Sequence, residues 1–307
     1  MKELVYTDNI GFDLKDWKEA RITEVFAGMD CIMALTADGK VLQKVSKNDY
    51  AARTQYWTRI KQIAISKCIP GLAIGLVNDG TCMIAKRALR RLCGLKYSKH
   101  SLDFDTVHNQ VKSWRNIVQV AASDAFFALD DSGRIHLAAF SRFSQEDYRC
   151  VLEWTNVQRI ITGSQNSVIG ITTDGFALCA GANLKRGLMG NAIEKLTPLS
   201  PVVDVFPTGS ECEEILVAFK NGRVEKYHGI RSELMPVTTI STRKDPPSKI
   251  LDGAFWSCVV ILNEQGILTR YQDGSLSPLF IRDGKVVSFA VGHCGYGYPF
   301  VLAVIDK

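Results

Sequence analysis

A β-hairpin pattern that recurs every forty-odd residues constrains the fold of this chain more than any other feature of its sequence. Each copy has a short apolar run, a turn that ends in glycine and a second apolar run, as in ALTADGKVLQ at 34–43. The turn glycines are Gly39, Gly80, Gly133, Gly175, Gly222 and Gly266, with spacings of 41, 53, 42, 47 and 44 residues. An isolated hairpin is only marginally stable in water, so the repeats must cover one another. The pair Asp38-Gly39 predicts a two-residue type I′ turn, in which both central residues have positive φ.

A second strand-like segment precedes each hairpin. Three of these segments place a tryptophan and two β-branched residues at positions i, i+3 and i+6: Trp57, Ile60 and Ile63; Trp114, Ile117 and Val120; Trp154, Val157 and Ile160. Three-residue spacing is also compatible with a helix. The segments are short and β-branched, and each is followed at once by Gly, Ser or Ala and another strand, which favours a strand.

The two ends of the chain supply the halves of a seventh repeat. Residues 285–307 contain two apolar segments but end before a turn glycine, and ELVYTDN at 3–9 resembles the strand that follows the glycine elsewhere. An open solenoid would instead need polar capping repeats at its ends. The sequence therefore predicts an all-β fold, a seven-bladed β-propeller closed by strands from both termini. We expect a single domain over 1–307, with approximate repeats 17–56, 57–113, 114–153, 154–199, 200–246, 247–284, and 285–307 completed by 1–16.

The repeat resembles a known family. Its β-branched residues, small residue and A-L-x-x-D-G-x-V pattern are similar to the repeats of the regulator of chromosome condensation family, over nearly the whole chain. The family motif W-G-x-N-x-x-G-Q-L-G is partly kept after the fourth hairpin, at Gly181, Asn183, Gly187, Leu188 and Gly190, and RRLCGL at 90–95 parallels it with Leu92 and Gly94. A histidine is common in the family eight positions before the turn glycine; here Cys31, Leu72, Ala125, Ser167, Cys258 and Phe300 stand instead. The resemblance implies a propeller that binds other proteins, and the missing histidines weaken the transfer of any particular member's partner to this chain.

The composition limits the classes of binding partner and the cellular compartment that are expected. The chain has 37 basic and 32 acidic residues, and a net charge of +5 is too small for a dedicated nucleic-acid binder. The N-terminus lacks the pattern of a signal peptide, and no stretch is long and apolar enough to predict a membrane span. Nine scattered cysteines without a C-x-x-C motif predict buried, reduced thiols in a cytoplasmic protein, with no disulfide framework, no metal and no cofactor.

The sequence identifies no catalytic residue. The five histidines fall at unrelated repeat positions, and no G-x-S-x-G motif is present. Adjacent carboxylates, Asp130-Asp131 and Glu213-Glu214, would point to opposite faces of a strand and are interpreted as solvated turns. Propellers do host hydrolases and lyases, so an enzyme remains a third, less favoured class.

Two segments are candidate binding surfaces. The basic segment, residues 86–100, contains six basic residues and no acid: Lys86, Arg87, Arg90, Arg91, Lys96 and Lys99. The aromatic segment, residues 294–300, contains Tyr296 and Tyr298 between small residues. The alternative for the basic segment is a solvated loop, and the alternative for the aromatic segment is a long corner between strands. The leading hypothesis is a non-catalytic protein-binding scaffold, and guanine-nucleotide exchange on a small GTPase, which the family resemblance implies, is the alternative.

Overall fold

The structure, a computed structural model, describes most of the chain: residues 2–7, 10–28, 30–46, 54, 56–67, 69, 71–86, 103–162, 167–175, 177–181, 202–208, 214–228, 236–241, 247–252, 259–272, 275–280, 283–292 and 300–307. In chain order the described strands are β1 (Lys2–Tyr6), β2 (Ile22–Gly28), β3 (Cys31–Thr36), β4 (Val41–Val45), β5 (Ile60–Ile65), β6 (Ala73–Val77), β7 (Cys82–Ile84), β8 (Ile117–Ala122), β9 (Ala125–Asp130), β10 (Ile135–Ala139), β11 (Val157–Thr162), β12 (Ser167–Thr172), β13 (Ala177–Gly181), β14 (Val202–Thr208), β15 (Glu214–Phe219), β16 (Arg223–His228), β17 (Pro236–Ser241), β18 (Pro247–Asp252), β19 (Val259–Asn263), β20 (Leu268–Gln272), β21 (Ser275–Pro278), β22 (Lys285–Gly292) and β23 (Phe300–Asp306). The helices are α1 (Phe104–Ser113) and α2 (Arg142–Asp147), with 3₁₀ turns at Lys15–Trp17 and Arg149–Glu153.

The described strands form seven antiparallel sheets, which are the blades of a β-propeller. Blades 1 to 4 are β2–β4, β5–β7, β8–β10 and β11–β13; blades 5 and 6 have a fourth strand and are β14–β17 and β18–β21. Blade 7 joins the two ends of the chain, because β1 pairs with β23 from Lys2↔Asp306 to Tyr6↔Leu302. The predicted seven-bladed fold and its closure are confirmed.

The hairpin turns differ from the predicted type I′ turn. Asp38 is not among the non-glycine residues with positive φ, whereas Gly39 has φ 77°. The Thr36 N–H donates to the Lys40 carbonyl at 3.0 Å, which closes a three-residue loop of Ala37, Asp38 and Gly39. This is the hairpin type in which only the last loop residue is left-handed. The two-residue prediction was wrong because the strand pairing ends one residue earlier than the apolar pattern suggests.

Each described first strand contains a β-bulge. In β8, Ile117 pairs with Asp130 and Gln119 pairs with Leu129, so Val118 is an extra residue. The bulge turns Ile117 and Val120 to the same side, where both pack in one core with Trp114. Equivalent register shifts occur in β2, β5, β11, β14, β18 and β22. The strand interpretation is confirmed, and the bulge explains the three-residue spacing.

Helical segments lie at the outer edge of blade 3. Helix α1 begins after Asp103, whose side chain accepts a hydrogen bond from the Thr106 N–H at 2.8 Å. Its buried face, Val107 and Val111, packs in the core shared by blades 2 and 3. Helix α2 and the following 3₁₀ turn pack against β10. Helix α1 therefore accounts for part of the long 53-residue spacing between Gly80 and Gly133.

Candidate protein-binding surfaces

The ring has two ends, which we call the glycine-turn face and the opposite face. The glycine-turn face carries the hairpin turns, and the first strand of each blade begins there, since the Ile60 N–H donates to the Gly39 carbonyl of the preceding blade at 3.1 Å. At the opposite face the first strand ends and the second begins, as at the pair Gly292↔Phe300. Any loop on this scaffold therefore belongs to one of two surfaces.

The first strands line a narrow central channel, with a cavity of about 220 Å³. The residue that follows the bulge is polar in all seven blades: Glu24, Gln62, Gln119, Arg159, Asp204, Lys249 and Ser288. Polar groups converging on a channel are the usual first candidates for a ligand site.

Several of these polar side chains instead join neighbouring blades. The Gln119 Oε1 accepts from the Ile160 N–H at 2.8 Å, and its Nε2 donates to the Ile160 carbonyl at 2.9 Å. The Gln62 Oε1 accepts from the Val120 N–H at 3.0 Å. The Ser288 Oγ accepts from the Val25 N–H at 3.1 Å and so joins blade 7 to blade 1. These groups stabilise the ring.

An ion pair joins blades 4 and 5. The Arg159 guanidinium lies 3.3 Å from the Asp204 carboxylate, whose side chain is only 2% exposed. The Asp204 Oδ1 also accepts from the Val205 N–H at 3.0 Å. A carboxylate this deeply buried requires such partners to remain ionised.

The basic segment begins on the opposite face. Lys86 is exposed and lies just beyond β7, where the Ala85 N–H donates to the carbonyl of Ala73, the first residue of β6, at 2.9 Å. The other five basic residues lie outside the described residues: Arg87, Arg90, Arg91, Lys96 and Lys99. Their role in binding stays a prediction.

The aromatic segment also begins and ends at the opposite face. Tyr296 and Tyr298 lie outside the described residues, but Gly292 and Phe300 flank them as a pair of β22 and β23. Blade 7 is close to blade 1 here, since a Cβ on Gly292 would lie 2.8 Å from the Ala27 Cβ. The described residues that flank the two candidate segments are therefore on the same face.

Comparison with known proteins shows similarity at the level of structure. No protein-family model and no curated protein matches the chain. Prp20p from Saccharomyces cerevisiae, studied for its binding properties to Gsp1p and histones, superposes with a TM-score of 0.57 at 12% identity, over 97% of this chain and 85% of that chain. Yeast RCC1 (Prp20) bound to Kap60 gives the same TM-score and identity, over 97% and 83%. The Cps50 (Swd1) β-propeller domain of Myceliophteria thermophila gives 0.54 at 11% identity, over 94% and 97%.

The chain has the fold of a seven-bladed β-propeller, similar to that of RCC1 (Prp20). At 12% identity this likeness establishes the fold alone. Of the family motif after the fourth hairpin, Gly181 is the last residue of β13, and the remaining positions lie outside the described residues. Among the described parts of the chain, no helix is long and apolar enough to cross a bilayer.

The four described cysteines of the propeller differ in exposure. Burial raises the pKa of Cys31 to about 11 and that of Cys82 to about 12. Cys179 is half-buried, whereas Cys150, in the 3₁₀ turn after α2, is exposed. The prediction of buried thiols is therefore wrong for Cys150. Where the structure describes the chain, no cluster of three or more His, Cys, Asp or Glu side chains suits a metal ion.

Sequence reasoning missed a histidine–carboxylate pair in blade 3. The His136 Nε2 lies 2.9 Å from the Asp130 Oδ2, across the hairpin of β9 and β10. Asp130, interpreted from sequence as solvated, is only 13% exposed. Burial raises its pKa, but hydrogen bonds from the Ser132 hydroxyl, the Arg134 N–H and the His136 ring outweigh burial and hold that pKa below its usual value. The available signal was the six-residue separation across a glycine turn.

Proposed function

We propose that this propeller is a non-catalytic protein-binding scaffold that presents loops on its opposite face to an acidic surface of a partner. The observation that carries the proposal is Lys86, an exposed residue on that face that opens a run of six basic residues without an acid. Basic loops held by a rigid scaffold suit acidic protein surfaces.

The rigidity of the scaffold supports this proposal. Hydrogen bonds from Gln62, Gln119 and Ser288 join successive blades around the channel, and the turn glycines add backbone bonds between blades. A ring with fixed blades holds its loops in place, which lowers the entropy lost when a partner binds.

A protein partner is favoured over nucleic acid. The net charge of +5 is small for 307 residues, and only six of the 37 basic residues lie in the basic segment. Prp20p, which shares this fold, has binding properties to Gsp1p and histones. The thiols fit a reducing compartment such as the cytoplasm.

Charge reversal of the basic segment tests the proposal. The variant Lys86→Glu, Arg87→Glu, Arg90→Glu, Arg91→Glu changes the local charge by eight units and should weaken binding of the partner isolated from cell lysate by at least about tenfold. The proposal places these charges at the surface, where charges contribute little to stability, so the melting temperature should stay within about 1 °C. Binding of the wild type should weaken as salt rises, because exposed charges are screened over about 8 Å at physiological ionic strength.

A matched control separates the segment from the overall field of the protein. The variant Lys18→Glu, Lys112→Glu, Arg134→Glu, Lys220→Glu makes the same change at four exposed positions elsewhere. This control variant should bind the partner as tightly as the wild type does. Equal loss in both variants, or full affinity and unchanged salt dependence in the basic-segment variant, would refute this role, and the search would move to Tyr296 and Tyr298.

Guanine-nucleotide exchange is the alternative that the RCC1 resemblance suggests. Adding the protein to small GTPases loaded with a labelled guanine nucleotide distinguishes the two functions. Accelerated release of the label supports exchange, whereas a stable complex without release supports the scaffold.

A further inference from the structure

The outer edge of blade 3 is formed by β10. On its inner side β10 pairs with β9, and no described strand pairs with its outer side. The Asp130 N–H donates to the Arg134 carbonyl at 3.0 Å, so these two residues form a hydrogen-bonded pair. From Arg134 onward, every second residue of β10 forms such a pair with β9. His136 and Ala138 therefore direct their backbone groups towards β9, whereas Leu137 and Ala139 direct theirs outward.

These outward backbone groups are enclosed. Leu137 is 6% and Ala139 is 3% exposed, yet the described residues offer no hydrogen-bond partner to their outward N–H and C=O groups. Buried backbone groups in proteins are nearly always paired, because leaving them unpaired costs free energy. The edge therefore favours an occupant with backbone-like donors and acceptors.

A groove runs along this edge, with a volume of about 440 Å³. Leu137 and Ala139 form its floor, Gln110 of α1 lines it on one side, and Glu146, Arg149 and Leu152 line it on the other. The helical segments cover opposite faces of the sheet, since α1 packs in the core that contains Ala138 and the 3₁₀ turn packs in the core that contains Leu137. The groove is within the usual size range of ligand pockets.

Two other blades of the same chain show what occupies this position. In blade 5, Lys226 of β16 pairs with Thr238 of the fourth strand β17. Lys226 stands four residues after its turn glycine, as Leu137 does in blade 3. In blade 6, the Leu279 N–H donates to the Leu268 carbonyl on the outer side of β20 at 2.9 Å.

We propose that the groove along β10 binds a short extended segment of a partner protein, which adds a fourth strand to blade 3. Main-chain hydrogen bonds to Leu137 and Ala139 would hold the segment. Alternate side chains of an added strand point to opposite sides. One would therefore be apolar and contact Leu152, which is 58% exposed, and the next would be polar and lie beside Gln110.

This site is independent of the basic segment. It lies on the rim of the ring, whereas the basic segment begins on the opposite face. The two experiments share no variant, so either proposal can fail while the other stands.

Hydrogen exchange of the free protein is the first test. The amides of Leu137 and Ala139 should exchange at least about 100-fold faster than those of His136 and Ala138, because only the latter pair with β9. The neighbouring residues of one strand are thus the internal control. Equal protection along 135–139 would mean that the edge is already paired within the chain, and would overturn the proposal.

A peptide with the sequence of β17, acetyl-PVTTIS-amide, is the probe for the second test. Titrated to about 5 mM, at the weak end of specific affinities, it should slow exchange of the Leu137 and Ala139 amides by at least about tenfold. The same peptide N-methylated at the residues equivalent to Thr238 and Ile240, which pair with β16, should have no effect.

Variants locate the binding. Leu152→Asp should weaken binding of the peptide by at least about fivefold. The melting temperature should change little, because the Leu152 side chain is largely exposed. Ile267→Asp changes a similarly exposed apolar residue, 49% exposed on the glycine-turn face, and should bind as the wild type does. No protection at Leu137 and Ala139, equal binding of the N-methylated peptide, or equal loss in both variants would overturn the proposal.

Discussion

The backbone carbonyl of Gly39 accepts a hydrogen bond from the N–H of Ile60 at 3.1 Å, which joins the hairpin turn of blade 1 to the first strand of blade 2. The same bond joins Gly80 to Ile117 and Gly133 to Val157. These three hairpins are therefore covered by the next blade, and their turns lie where two blades meet.

Alanine at a turn glycine should destabilise the ring. Gly133 has φ 79°, and a Cβ there would lie 3.1 Å from the Val157 carbonyl oxygen. We expect Gly133→Ala to lower the free energy of unfolding by about 2 kcal/mol or more, from left-handed strain and crowding of the next blade. Urea unfolding measures the loss. Asp131→Ala, an exposed change in the same turn, should cost less than about 0.5 kcal/mol, and equal stability of the two variants would contradict this role.

Removal of the Gln119 side chain should also weaken the ring. Gln119→Ala deletes two hydrogen bonds to the Ile160 backbone and leaves its N–H and C=O without those partners. The expected cost is about 1–3 kcal/mol. Gln158→Ala removes a single bond to the Thr172 carbonyl and should cost less. The idea fails if both variants unfold at the same denaturant concentration.

Deletion of residues 1–12 should destabilise the whole propeller. The deletion removes strand β1 and two buried side chains, Val5 and Ile10. Each buried aliphatic side chain contributes about 1.5–3 kcal/mol, so the melting temperature should fall by roughly 6 °C or more. Lys2→Ala, an exposed change in β1, is the control. A truncated protein that melts at the wild-type temperature with unchanged cooperativity would exclude closure by β1.

The carboxyl of Asp38 should titrate at unusually low pH. Hydrogen bonds from Lys40 and Thr36 lower its pKa to about 2 from 3.8. Since the folded pKa is the lower one, the ionised group stabilises the turn above about pH 4, and this contribution is lost as the pH falls towards 2. Nuclear magnetic resonance of the side-chain carbon measures the titration. Lys40→Ala should raise the midpoint, and an unchanged midpoint would show that Lys40 has no part in it.

The cysteines should react in the order of their burial. At pH 8 a thiol with a pKa of about 11, such as Cys31, is about one-thousandth ionised, so Cys31 and Cys82 should be alkylated at least about 100-fold more slowly than in the denatured protein. Of the four described cysteines, Cys150 is the exposed one and should be labelled before the other three. Mass spectrometry of peptides after brief iodoacetamide treatment gives the order, and early labelling of Cys31 would disprove its burial.

The sequence was sufficient to predict the seven blades and their closure, because both follow from a long-range period. Repeated apolar runs and turn glycines determine which residues are buried, and chain closure follows from one missing half-hairpin. The fourth strands β17 and β21 were not predicted, and neither was α1. In the described sheets β17 and β21 are edge strands, and strand propensity is a weaker guide at an edge than in the centre of a sheet.

Local geometry was predicted less well. The three-residue spacing of Ile117 and Val120 results from the bulge, but the same spacing is also compatible with a helix. Only the pairing of β8 with β9 distinguishes a bulged strand from a helix. The pair His136 and Asp130 depends on hairpin register, which a shift of one residue would destroy. Apart from Lys86, the candidate basic and aromatic residues lie outside the described residues, so their placement stays a prediction.

Blade 7 has a consequence for how the protein is made. Asp306, which pairs with Lys2, is synthesised about 300 residues after it. At 5–20 residues per second the first strand therefore waits roughly 15 to 60 s for its neighbour. During that time the apolar side of β1, including Val5, has no native surface to cover it. The nascent chain thus has a defined interval in which a chaperone is needed most, and that interval ends with the synthesis of β23.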